Sequence, residues 1–203
     1  MPLPPQAASV LDFWLGDGVE LGWPSQDMSK RWFQGGPELD RECHEKFGDL
    51  VTQAVAGKLQ DWAAEPLGRL ALVLLLDQFA RNIYRGKPAA FSGDVRAQQL
   101  VKDALTQRID EQLPWIGRVF LYMPLMHAED LLLQEEGVRR FARLAGEAPE
   151  ELRAGIESNL RFAQQHRDIV ARFGRFPYRN AALGRTNTAL EFDFIKNGPR
   201  FGQ

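Results

Sequence analysis

Asp77 and Arg81 stand four residues apart with Gln78 and Asn82 beside them, so on a helix they share a side and can pair. Asn159 and His166 are seven apart, two helical turns along one line, amid a face otherwise made by Leu152, Ile156, Phe162, Ala163, Ile169, Val170 and Phe173. Each such group loses its hydration when the face packs, and must find a hydrogen-bond partner in exchange. Asp130 falls in the same way among Met126, Leu133, Gly137 and Phe141, with His127 at the flank near Gln134. Removing one partner from a buried ion pair costs about 3–5 kcal/mol, so Asp130 is expected to meet a cation or several donors.

Arginine is the obvious cation. Nineteen of the 25 basic residues are Arg, and residues 161–185 carry Arg161, Arg167, Arg172, Arg175, Arg179 and Arg185 against Asp168 alone. A guanidinium presents five donors in a planar fork and holds carboxylate or phosphate bidentately, which an ammonium does not. Arg172, Arg175, Arg179 and Arg185 are therefore the candidate anion-binding residues. Asp77, Arg81, Asn82, His127, Asp130, Asn159 and His166 form the candidate polar cluster. Asp168 points to another face, as a solvated partner for Arg172. Two readings stay open: a buried network that fixes helix register, or a pocket in which Arg and His receive an anionic molecule and His exchanges protons near neutral pH.

Other chemistries lack their spacing. There is no Glu-x-x-His, no His-Glu-x-x-His and no phosphate-cradling Gly-x-x-x-x-Gly-Lys. His127, Asp130 and His166 are ligand types without a ligand pattern, so no metal and no cofactor are expected. Cys43 is alone, which precludes an internal disulfide, and reads as core with His44 on the surface. Leu11, Phe13, Trp14, Trp32 and Phe33 read as packing residues.

The elements that position these residues are helical. Apolar residues recur at helical spacing, and period-two runs are absent, which predicts an all-α protein. Helices are expected at Ala7–Leu15, from Trp23-Pro24-Ser25 to Gly35, and from Pro37 along a stripe to Leu59. Further helices are expected at Pro66–Arg85, where Leu70–Leu76 is apolar on every side, and at Asp94–Gln107 with Asp94 as cap. Leu113-Pro114-Trp115 reads as a connector, and Met123–Ala145 and Pro149–Phe173 as long helices, the second closed by Gly174. Thr188 with Glu191 has the form of a capping box for a last helix to Lys196. The 203 residues, 44% hydrophobic with a formal charge of −2, suit one all-helical domain over 1–203 and argue against nucleic acid held by bulk positive field. The longest apolar run has seven residues, against the roughly 20 that span a bilayer, and Met1-Pro-Leu-Pro-Pro has neither the basic start nor the apolar stretch expected of a signal peptide. No membrane association and a cytoplasmic address are the expectation.

Val10-Leu11-Asp12-Phe13-Trp14-Leu15-Gly16, the block Leu76 to Gly86, and Tyr122 to Asp130 resemble segments of the bacterial domain-of-unknown-function 924 family. So do His166-Arg167-Asp168-Ile169 and Arg172 to Asn180 with Leu183-Gly184-Arg185. The resemblance spans residues 10 to about 194 and implies antiparallel helix pairs in a tetratricopeptide-like, right-handed array. It implies no activity. Ala80 stands where the family suggests proline and Tyr178 where it suggests histidine, so no catalytic histidine occupies 178. The fold implied favours a helical-repeat module that binds a protein or peptide partner. The alternative is a metal-independent enzyme or sensor for an anionic small molecule, acting through the Arg/His/Asp cluster. Five tryptophans leave a homodimer open.

Overall fold

A computed structural model describes residues 2–198; Met1 and 199–203, part of the expected 1–203 domain, lie outside the described residues. The protein is all-α, and no strand occurs among the described residues. Helix α1, Pro5–Leu15, starts on a proline that suits a first helical position and buries Ala7, Val10, Leu11 and Trp14. Two short helices follow, α2 at Gly18–Leu21 and α3 at Ser29–Phe33, then α4 at Pro37–Val55. Cys43 is buried on α4, where burial pushes its thiol up to about 12, and His44 is exposed.

The expected Pro66–Arg85 helix is one rod with an irregular middle: α5 at Pro66–Leu74, a π-helical turn at Leu75–Phe79, and α6 at Ala80–Ile83. Every residue from Gly68 to Ala80 is buried, because α1, α4, α7 and α8 surround the rod. Here α7 is Asp94–Thr106 and α8 is Trp115–Met126. Trp14, Phe79 and Phe120 meet edge to face at 5.1 and 6.2 Å at the centre. Helix α9, Leu131–Glu147, and α10, Glu150–Phe173, form an antiparallel pair, and α11 is Ala189–Asn197. Gly174 closes α10 in the left-handed conformation (φ 70°), which glycine adopts without steric cost, and Thr188 and Glu191 form the expected capping box.

The structure corrects three boundaries. Trp23-Pro24-Ser25 opens no helix: the Asp17 carboxylate holds the Ser25 N–H and hydroxyl, and the Pro24 ring lies where a Cβ on Gly18 would sit. Trp115 starts α8 instead of closing a connector, and Met123, the expected start of the next helix, lies inside α8. The expected Met123–Ala145 helix breaks at His127–Asp130. Asp130 is consequently no buried mid-helix carboxylate. It is exposed and caps α9, accepting from the Leu133 N–H at 3.1 Å.

Candidate functional site

The π-helical turn widens the rod where Asp77 and Gln78 face inward, and such turns recur at functional sites. Asp77 is 1% exposed. Its backbone carbonyl and Oδ1 accept Arg81 Nη1 at 2.7 and 3.0 Å, and Gln78 Nε2 donates to Oδ2. The bend after α8 brings His127 Nδ1 to 2.8 and 3.0 Å from the two Asp77 oxygens. Burial alone would raise the Asp77 carboxyl, but Arg81 and then His127 outweigh it and hold it well below the usual carboxylate range. Burial lowers the His127 pKa, with Arg81 acting in the same sense and Asp77 against it. An ionised Asp77 facing a neutral imidazole requires the proton on Nδ1, so Nε2 carries the lone pair. Among the described residues Nε2 has no hydrogen-bond partner.

A second acid stands behind Arg81. Asp94, at the first position of α7, lies 3.0 Å from Arg81 Nη2 and 3.4 Å from Arg179 Nη1. It makes no side-chain cap, which corrects its expected role. Gly93 allows the approach, since a Cβ there would lie 2.5 Å from the Leu76 carbonyl oxygen of the π turn. Gly93→Ala is expected to lower stability by about 1–3 kcal/mol in urea unfolding.

Arg179 sits on the short turn Pro177–Arg179 and is 3% exposed. Its guanidinium lies between the rings of Phe91 and Phe176, 4.8 and 4.4 Å from their centroids. The long Asp94 contact is its one side-chain hydrogen bond among the described residues, and its buried Nε has none. Burial, then repulsion from Arg81, lower its pKa. The turn is clamped by Glu129, missed in the sequence, whose oxygens accept Arg185 Nη1 and Nη2 at 2.6 and 2.8 Å and the Phe176 N–H at 2.8 Å.

The anion-binding expectation thus narrows. Arg185 is engaged by Glu129, and Arg175 by Glu191 at 2.6 and 2.8 Å. Arg172 is exposed over the Phe173 ring, and Asp168 pairs with Arg167 in place of Arg172. Arg179 alone of the four lines the cavity.

That cavity, about 300 Å³, opens beside the Asp77–His127 pair. Gln78, Arg81, Asn82, Arg85, His127, Asn159, His166, Tyr178 and Arg179 reach its wall, and Trp32, Phe33, Gly35, Met123, Met126 and Phe162 complete it. Phe33 is therefore a mouth residue, 53% exposed, and no core aromatic. Asn159 Nδ2 donates to the Gly155 carbonyl, and His166 Nδ1 donates to the Phe162 carbonyl at 2.8 Å. Burial first, then the neighbouring His127, push His166 down to about 3. Its ring and that of His127 are 6.1 Å apart. Among the described residues no three His, Cys, Asp or Glu side chains are grouped to hold a metal ion, and no helix is long and apolar enough to cross a membrane.

These shifts set the acid behaviour. His166 is depressed from 6.5, so its contribution to stability is full above pH 6.5 and is lost as pH falls toward 3. Asp77 is depressed from 3.8, so its contribution is lost only as pH falls below that value. The melting temperature is expected to decline from near pH 6.5 and more steeply below pH 3.8. His166→Gln should make the upper limb shallower in a calorimetric pH series, leaving the part that His127 carries.

Residues 10–199 match the family model described as a bacterial protein of unknown function, DUF924. A solved structure of a protein of unknown function from Agrobacterium tumefaciens shares 33% identity and superposes with a TM-score of 0.78, covering 95% of this chain and 97% of that one. A comparison with curated proteins gives no match.

Proposed function

The chain belongs to the DUF924 family of bacterial proteins, whose description assigns no activity, and from the site itself we propose an acid–base pocket for a small anion. The anion sits on Arg179, and His127 Nε2 accepts or returns a proton beside it. One observation carries this reading: a buried guanidinium with most of its donors unengaged faces the same cavity as an imidazole whose other nitrogen is held by a buried carboxylate. In such a pair the carboxylate fixes the tautomer and stabilises the imidazolium that forms when Nε2 takes a proton from an O–H or C–H of the bound molecule. The proton then leaves to solvent or to product.

The helical-repeat reading requires an extended groove for a peptide. The cavity volume, at the lower end of the range of about 300–1,000 Å³ for ligand pockets, favours a metabolite.

Imidazole NMR of the full chain, titrated with pH in the absence and presence of acetate, tests the proposal. Acetate on Arg179 places a negative charge near Nε2 and is expected to raise the His127 pKa, with no such rise in Arg179→Met. A His127 titration indifferent to acetate overturns the reading.

A further inference from the structure

We propose that the occupant of this cavity is a monocarboxylate with an apolar body, its carboxylate on Arg179 and its chain toward the mouth formed by Phe33 and Phe162. The inference rests on the anion reading above and adds the charge and shape of the molecule.

The charge follows from the pairing around the cavity. Of its three guanidinium groups, Arg81, Arg85 and Arg179, the first two are matched from behind by carboxylates. Arg81 is fixed by Asp77 and Asp94, and Arg85 donates to both oxygens of Asp40 at 2.8 and 2.9 Å. Arg179 shares Asp94 with Arg81 at 3.4 Å and keeps the remaining donors. His127 and His166 are both held toward the neutral form. Arg179 is therefore the least compensated of the three, and its Nη2 remains for a singly charged head group. A second negative charge in the same cavity would find no cation that is not already paired.

The apolar body follows from the carbon of the lining, which Trp32, Phe33, Met123, Met126 and Phe162 supply. Phe33 and Phe162 are 53% and 43% exposed, although large apolar groups at a cavity mouth lose free energy to water until something covers them. Phe33 ends α3, a helix that buries none of its five residues and is anchored by the Trp32 Nε1–H to the Trp14 carbonyl at 2.7 Å. An aliphatic or aryl chain leaving Arg179 toward the mouth is covered by these side chains.

Isothermal titration of the full chain with acetate, butyrate, hexanoate, succinate and hexanamide tests both features. Affinity is expected to rise about fourfold per methylene that reaches the wall, the ratio set by burying one CH2. Succinate and hexanamide are expected to bind far more weakly than hexanoate. Phe33→Ala and Phe162→Ala, both at exposed positions, should flatten the chain-length series and leave acetate unchanged. Equal affinity for acetate and hexanoate, or tighter binding of succinate, overturns the apolar monocarboxylate while the anion site stands. Failure of every carboxylate to bind overturns both readings.

Discussion

Asp77→Asn is expected to lower the melting temperature by about 10 °C at pH 7, the equivalent of about 3–5 kcal/mol for a chain of this size. The carboxylate is almost wholly buried and accepts from Arg81, His127 and Gln78, so it is surrounded by donors. An amide of the same shape removes the charge that compensates Arg81 and turns an NH2 either toward Arg81, which can only donate, or toward His127 and Gln78, which must then reorient to accept. Arg81 cannot escape to water, since its Nη2 is held by Asp94 and its Nε is buried. Asp168→Asn serves as the control, because that carboxylate is exposed and such changes stay within about 0.5 kcal/mol. A second readout separates charge from packing: without Asp77 the His127 imidazole loses its largest opposing influence and should titrate at still lower pH. A melting temperature within 2 °C of the wild type, at about 2–4 °C per kcal/mol, would show that no buried charge is carried at 77.

How the site arises explains what the sequence could and could not disclose. The Asp77/Arg81 pair was legible because i,i+4 spacing survives the π turn well enough for Arg81 to reach both the Asp77 carbonyl and its side chain. His166 and Asn159 were legible as polar groups on an apolar face, and both are buried. Asp130 misled because periodicity ran through residues 127–130, where the chain in fact turns. The same turn exposes Asp130 and aims Glu129 at Arg185. Asp94 had no signal: an acid after a glycine reads as a cap, and only the approach of α7 to the π turn makes it a counter-ion for two arginines. The four arginines of 172–185 were indistinguishable by type or spacing. Which one keeps free donors depends on where Glu129, Glu191 and Asp94 fall, and those are long-range contacts spanning 16 to 85 residues.

Arg179→Met should melt at or above the wild-type temperature and bind hexanoate about 100-fold more weakly, and this pairing of results decides what the cluster is for. A guanidinium that clasps helices together makes several short bonds to carboxylates, as Arg185 does to Glu129. Arg179 makes one at 3.4 Å, leaves Nε without a partner, and is opposed by the like charge of Arg81. Its desolvation is offset chiefly by two ring faces, worth about 1–2 kcal/mol together. Methionine fills the same space, places sulfur against those rings, and leaves Asp94 to Arg81, so the fold loses little and sheds a poorly compensated charge. Binding fares differently, because truncating a buried charge that pairs with a carboxylate costs about 2–5 kcal/mol. A residue kept at the expense of stability is one retained for what it binds. Should the variant instead melt more than 6 °C lower, by the same scale a loss above about 2 kcal/mol, Arg179 is a clasp and the cavity has no cation in reserve.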